Sequence, residues 1–472
     1  MTFLENSMLS VSHPVVLFEM DINVINLQWI NCGAGIWKCS FLNSYPEVDA
    51  SLLDGFTPQS FRDIGSALCD GVQLTKVESI NLLTTVYMSF YFDIVNKIIY
   101  VTLLNYESPT LHLVTIGEIY GMSDISFSPI GSAINYEGRM DEFPTIGYQR
   151  DPTYFGKFSF PAVTFSFKNN DGVFDMLAEN NSIYGNSIRV LYGYADLNIT
   201  DYLCIYSGLI TVIAISEDTV SVTSADARNR YIKGVNYSCD AKNALAVIRE
   251  LLSIHYRIPI DLFDAYFIEA ETTAPIITIT MRSTERKPVI TIIEEICKSL
   301  FGMFFITPLG YFSFRNIDMD AYAVDTIKAL DILEKITVTY DPQEVLSSAR
   351  VSFNKNVVDD TTAYKDWVED TSREEAIFLK YKTYSQKDFD TVLNSQIAAQ
   401  ALLDLIMDYN EDVHGTSRIV CPMSYYAVTP IDTINVELNR ENSNMLGTKK
   451  CEVLGKNYLL GKNMIEFYVR IV

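Results

Sequence analysis

A mainly β fold with an α+β insert is what this sequence predicts, and three stretches predict it. In the first, Val163, Phe165 and Phe167 alternate with Ala162, Thr164 and Ser166. A two-residue period puts the three apolar side chains on one face of a strand. Asn169-Asn170-Asp171-Gly172 follows, residue types that tolerate left-handed backbone or bond their own turn, so the strand must reverse or leave its sheet there. The second observation is the spacing of further strands. Ile188 to Tyr192 is one, and another pair straddles Ser216-Glu217-Asp218-Thr219, with Val212 and Ala214 before the turn and Val220 and Val222 after it. Short strands separated by polar turns imply a small barrel or a sandwich. The third is a helix pattern with Ile292, Ile293, Ile296, Cys297 and Leu300 on one stripe, which runs into Gly302 and two short apolar runs around Thr307-Pro308-Leu309-Gly310.

Length and charge bound the rest. The 472 residues exceed what one core supports and imply roughly three or four domains. With 48% hydrophobic and 12% aromatic residues, disorder is excluded over most of the chain. Lysine and arginine total 36 against 59 acidic residues, a net charge of -23, which disfavours a surface that clamps phosphate. The eight cysteines are scattered and none forms a Cys-x-x-Cys pair, so free thiols are expected. Glu5 precedes any apolar run and no basic start is present, which predicts no secretory signal and a chain that stays where it is made. The longest apolar tract, 299–314, contains Gly302, Pro308 and Gly310 and is too short to span a bilayer.

Taken in order, residues 1–125 read as an N-terminal β domain, with a strand from Val15 to Ile22 and a hairpin from Thr85–Phe92 into Ile98–Leu103. Trp29 and Trp37 flank Cys32-Gly33-Ala34-Gly35, aromatics beside a glycine turn, which more often are core than a stacking platform. Residues 126–235 hold the barrel or sandwich just described. In 236–330, Asp240 is placed to cap a helix through Leu245, Ile248, Leu251 and Leu252; the helix at Ile292 is the second, with Gly302 as its left-handed stop. In 331–472, a strand around Ala349–Phe353 leads to a charged loop, 355–376. A long helix at about 388–409 follows, with Leu393, Ile397, Ala401 and Leu405 at four-residue steps on its buried side beside Ala398 and Leu402. Strands return near Ile434 and Lys450, with a turn at Gly455-Lys456-Asn457 and a last strand from Ile465.

Candidate chemistry is sparse. Asn316-x-Asp318-x-Asp320 begins like a calcium loop but has Ala321 and Ile327 where glycine and a bidentate glutamate are needed. His13, His112, His255 and His414 are far apart in sequence, with no local zinc set. Glu294 and Glu295 are helix neighbours pointing about 100° apart, unlike carboxylates that straddle one glycosidic bond. No nucleophile elbow or phosphate loop is present, and Gly447-Thr448-Lys449-Lys450 reads as a basic hairpin tip. These readings assign no catalytic, cofactor-binding or metal residues, and the chain is expected to need no cofactor and not to be an enzyme.

The order Val163–Phe167, Asn-Asn-Asp-Gly, Phe174-Asp175, Ile188-Arg189-Val190-Leu191-Tyr192-Gly193 and Tyr206-Ser207-Gly208-Leu209-Ile210 resembles the first barrel of bacteriophage tail baseplate hub, or tail tip, proteins. Helix, Gly302 and hairpin resemble the α/β domain set between the two barrels of such hubs, and Arg418 to Val472 resembles their closing strands. The resemblance covers about 126–472; residues 1–125 look like a tube-associated domain that precedes the hub. It implies two small tube-like β-barrels at 126–235 and 331–472 around an α/β insert at 236–330. By the same resemblance the chain would be a structural part of the virion, made in the host cytoplasm. It would close the tail tube as a homotrimer or hexamer ring beside a tail tube or distal tail protein, a tape measure protein and a central tip or fibre protein. DNA would pass through it without stable binding, past a lumen partly lined by the excess negative charge. A receptor- or glycan-binding appendage is the alternative, favoured by exposed aromatics near Trp29, Trp37 or Trp367; a cell-wall-degrading tail enzyme is the third class.

Overall fold

The computed structural model describes, of the first 113 residues, 14–24, 30–34, 36–40, 64–69, 72–77, 79–86, 88–93, 98–103 and 109. From 114 onward it describes all residues except 133–135, 151–157, 160–161, 180–182, 257, 259, 274–276, 283–285, 319–320, 356–363 and 440–445. Trp29, Gly35, His13, His112, Asp320 and the cluster Asp359-Asp360 therefore lie outside the described residues. The fold is mainly β with short helices, as the alternation predicts. Contacts gather the chain into two compact units, each made of two segments: 1–144 with 162–227, and 145–161 with 228–472.

The first unit holds a ten-stranded sheet. Its order is Met140–Glu142, Val163–Lys168, Thr219–Asp226, Leu203–Ile215, Ser187–Tyr194, Pro14–Val24, Val114–Ser123, Ile64–Cys69 and Val72–Gln73, with Glu137–Gly138 alongside Val114–Ser123. The strand Pro14–Val24, read from sequence within 1–125, thus lies between Val114–Ser123 and Ser187–Tyr194, with Phe18 opposite Val190. Val163, Phe165 and Phe167 are buried on one face while Thr164 and Lys168 are exposed, which is the expected alternation. Phe165 and Phe167 each meet Phe18 edge-on at 5.5 Å between ring centres. Their strands are four places apart in the sheet, about 19 Å if it were flat. The sheet therefore curls on itself into a nearly closed barrel, with this aromatic cluster as its filling. A separate five-stranded sheet contains the hairpin Ser89–Asp93 and Ile98–Thr102.

The second unit has an eight-stranded sheet in which Leu446–Leu459 is the long central strand. Its first half pairs with Thr433–Asn439, its second half with Thr145–Arg150, and Met464–Ile471 runs along its other side. The change of partner falls at an irregularity between Val453 and Gly455. A Cβ at Gly455 would stand 3.1 Å from the Tyr148 carbonyl, so the glycine permits close approach of Thr145–Arg150. Gly455-Lys456-Asn457 is thus a kink inside a strand, not a turn, and Gly447–Lys450 is strand as well; the reversal comes at Leu460–Lys462 and at Asn463, whose φ is +56°. The segment 324–340 runs from one edge of this sheet to another. Val324 donates to the Thr433 carbonyl, Leu333 donates to that of Val420, and Val338–Tyr340 pairs with Gly415–Pro422.

Three helices lie in 236–330. Ala244–Tyr256 buries Leu245, Ile248, Leu251 and Leu252, as predicted. Its cap is Asn243, whose side chain accepts from the amides of Leu245 and Ala246 at 2.9 and 3.2 Å. Asp240 is displaced from that role because Ser238–Asn243 is drawn out as a strand against Thr278–Arg282. Helix Val289–Ser299 buries Ile292, Ile293, Ile296 and Cys297. The left-handed residue after it is Phe301 (φ +49°), not Gly302. Gly302 already belongs to the strand Gly302–Ile306, where a Cβ would fall 2.3 Å from the Phe314 ring. The glycine is needed for a close crossing, and the strain falls on Phe301, which is buried and packs edge-on against Tyr409 at 5.6 Å.

Two expectations in 331–472 fail. Residues 364–370, within the expected loop, form a strand paired to Ser348–Lys355, and Glu374–Tyr381 is a helix. Charge density hid a strand whose Val368 is buried. The long helix is Gln396–Tyr409, because Gln386–Asp390 is a strand. It buries Ala399, Leu402, Leu403, Ile406 and Met407, while Ile397 is 83% exposed and Leu405 41%. Leu402 is buried as expected, but the side covered with it is that of Leu403, Ile406 and Met407 and not that of Ile397 and Leu405.

Candidate interaction sites

The turn after Val163–Lys168 is held from inside. Asn169, buried, accepts from the Phe174 amide at 3.0 Å and donates to Asp175 at 2.7 Å. Gly172 takes the left-handed conformation there (φ +66°). Arg139 reaches Asp171 at 2.9 Å and Glu137 at 2.6 Å, and Tyr120 donates to Glu137 at 2.8 Å. The bond from Arg139 holds the Asp171 carboxyl below the ordinary carboxylate range. Deeper in the same unit Tyr136 donates to the buried Glu19 at 2.6 Å, and Arg189 approaches the other oxygen at 3.1 Å. These groups bond to one another, carboxylate to guanidinium or hydroxyl.

In the second unit a buried ionic network joins four elements. Arg150, at the end of Thr145–Arg150 and 2% exposed, donates to Glu452 at 2.5 Å and to the Tyr409 hydroxyl. Tyr409, last residue of its helix, donates that hydroxyl to the second Glu452 oxygen at 2.7 Å. Arg470 lies over the Tyr409 ring at 3.9 Å and donates to its carbonyl. Burial alone would raise the Glu452 carboxyl, but Arg150, Tyr409 and Arg470 outweigh it and hold it below the ordinary range. Both ends are satisfied, which leaves a fastener and not a reactive group. A groove of about 380 Å³ opens beside it, lined by Arg150, Thr337, Thr339, Thr416, Arg418 and Tyr468 among others. Its cations are already engaged, Arg418 with Glu334 at 2.9 Å and with Glu466.

Lys456 is a further buried charge, 4% exposed, donating to the carbonyls of Tyr426 and Val428 at 2.7 Å each. Burial pushes its ammonium down to about 7, against the pull of Asp432. A lysine lowered on folding binds fewer protons in the folded than in the unfolded state between about pH 7 and its ordinary value near 10.5, so stability rises with pH across that window. Lys456→Met is expected to flatten this rise, read as urea midpoints at intervals from pH 7 to 10; an unchanged slope would show that Lys456 is not its source.

The sequence motifs remain apart. Glu295 pairs with Lys287 at 2.7 Å on the outside of its helix. His255 lies in the last turn of the helix Ala244–Tyr256, and His414 meets the Ile471 carbonyl at 3.1 Å. Cys239, Cys297, Cys421 and Cys451 are buried free thiols, and burial raises each. Among the described residues no group of three or more His, Cys, Asp or Glu is placed to hold a metal ion, and no helix is long and apolar enough to cross a membrane. Trp37 is half-buried in its sheet, whereas Trp367 is 58% exposed with Arg350 5.8 Å from its ring centre. What sequence reasoning missed is surface: the apolar residues of 321–340, which have no period to reveal them.

No family model matches the chain, and no curated protein matches it significantly. Among solved structures it is similar to a tail protein from Neisseria meningitidis MC58 (13% identity, TM-score 0.43), covering 70% of this chain and 96% of that one. It is similar to the 43 kDa tail protein of prophage MuSo2 from Shewanella oneidensis (8%, 0.43), covering 72% and 96%. It is also similar to the prophage tail protein gp18 from Listeria monocytogenes EGD-e (9%, 0.41), covering 69% and 87%. The likeness to these three tail proteins is one of chain path and not of sequence.

Proposed function

We propose that the chain is a structural component of a phage tail tip or baseplate, or of a related tail-like particle: a hub that closes the distal end of the tail tube. The observation that carries this reading is the curled sheet of the first unit, in which the hub-like phrase 163–210 supplies the strands and the turn that the resemblance implies. A second sheet crossed from one edge to another by 324–340 supports a second barrel in the same chain. Two barrels per chain in a trimer would present six around an axis, and sheet edges are the natural surfaces for ring contacts. In this reading the hub anchors tip or fibre proteins, meets a tail tube or distal tail protein and the tape measure protein, and lines part of the DNA conduit. The finer division into an insert at 236–330 and a barrel at 331–472 belongs to the same proposal. Immunogold labelling of purified particles tests it: label at the distal tail end is expected, and label confined to heads, or absent from particles, would sink it. Exposed Trp367 favours the second reading, a receptor- or glycan-binding appendage. That reading predicts that purified chain binds host cells and that Trp367→Ala abolishes binding.

A further inference from the structure

The three-stranded sheet of Tyr364–Asp370, Ser348–Lys355 and Gln386–Asp390 has one covered face. Ala349, Val351, Val368 and Phe389 are buried on it, and the helix Gln396–Tyr409 packs there. The residues between them belong to the other face. On it Ser352 stands opposite Trp367 on one side and Asp390 on the other, and Arg350 stands opposite Glu369 and Asp388. Paired residues share a face, so these form two adjoining rows, each about 10 Å across three strands and set about 7 Å apart. The side chains agree with the register: Arg350 donates to Asp388 at 2.5 Å, and its guanidinium carbon lies 5.8 Å from the centre of the Trp367 ring. Trp367, Glu369, Asp388 and Asp390 are all exposed.

We infer that this face is a platform for an uncharged glycan, with Trp367 as the stacking surface and Arg350, Glu369 and Asp390 as its hydrogen-bonding groups. A sugar ring presents an apolar C–H face and an edge of hydroxyls that donate and accept. It needs a flat aromatic surface with fixed polar groups beside it, and the register of this sheet provides both at one spacing. Glu369 and Asp390 have no partner among the described residues and are free to accept from hydroxyls. The Arg350 Nε–H and the hydroxyl of Ser348, two residues along the same strand, are buried without partners, so donor capacity is left over at the floor of the face. Charge selects the class of glycan. Among the described side chains three carboxylates stand against one guanidinium, on a chain of net charge -23, which repels sugars bearing phosphate or carboxylate and repels nucleic acid. A basic peptide is disfavoured in turn, because Arg350 already flanks the ring that a second cation would seek.

This inference rests on the glycan-binding reading, whose site and ligand it names, and is independent of the hub reading. The full chain is titrated calorimetrically with neutral oligosaccharides of glucose, galactose, mannose and N-acetylglucosamine, with heparin and with oligolysine. At least one neutral oligosaccharide should bind. Trp367→Ala should weaken that binding by about tenfold or more, and Trp367→Phe, which keeps a ring, should recover part of it. Tyr322→Ala, altered at another exposed aromatic residue, should bind like wild type, and all three variants should melt like wild type. Binding of none of the neutral oligosaccharides, tighter binding of heparin or oligolysine, or binding that Trp367→Ala leaves intact would each overturn the inference. Adherence to host cells that Trp367→Ala abolishes but no neutral oligosaccharide competes would remove the glycan and leave the appendage reading standing. Gold label at the distal tail end, with no sugar bound, would remove this inference and leave the hub.

Discussion

Arg150→Ala is expected to lower the stability of the second unit by about 3–5 kcal/mol, because it strands the buried Glu452 carboxylate without its cation. For a unit of this size that corresponds to a fall in melting temperature of roughly 10 °C. The double change Arg150→Met/Glu452→Met removes both charges and should cost less than Arg150→Ala alone, since most of the penalty is the uncompensated ion. The pH profile gives an independent reading. Glu452 titrates lower when folded than unfolded, so its stabilisation is full above the ordinary carboxylate range and is lost as pH falls through its folded value. Arg150→Ala should therefore weaken the acid sensitivity of this unit. Melting within about 2 °C of wild type would show that the network is slack.

Phe167→Ala is expected to cost the first unit about 3–5 kcal/mol. Phe167 is fully buried and packs on Phe18, Phe165 and Phe174, so its removal opens a cavity where the two sides of the curled sheet meet. Thr164, one residue from Phe165 on the outer face, is exposed and its hydroxyl meets that of Thr223, and Thr164→Ala should fall within about 0.5 kcal/mol of wild type. Urea denaturation of the three proteins measures both. Equal losses at the two positions would mean that the sheet lies flat with no inner face.

How much of this was legible depended on which force set each element. Where one periodic face meets one core, as in Val163–Lys168 or Val289–Ser299, the residues spelled out both the element and its buried side. Gln396–Tyr409 was legible as a helix, and Leu402 as buried, but not its full orientation, because Ile397, Ala401 and Leu405 compete with Leu403, Ile406 and Met407 and only tertiary packing chooses. Gly302 drew the left-handed assignment by propensity, yet close approach of Phe314 requires glycine there and moves the strain to Phe301. Long-range pairing was invisible: nothing local in Tyr364–Asp370 announces its partner, and nothing near Arg150 names Glu452. The surface 321–340 was illegible for a related reason, since exposure is decided by the sheet beneath it.

The partner change of Leu446–Leu459 imposes a timetable on synthesis. Thr145–Arg150 leaves the ribosome early, flanked by segments that complete the other unit, yet Tyr148 must wait for Lys456 and Gly147 for Asn457. With some 300 residues still to be translated at roughly 5–20 residues per second, the wait is on the order of 15–60 s. Throughout it the strand has only the short Phe158–Ser159 beside it and its other edge stands unpaired, open to capture by a neighbouring nascent chain on the same message. The second unit is consequently assembled only after translation has nearly ended, and a chain cut short before Leu446 would keep the helices but never seat its own Arg150.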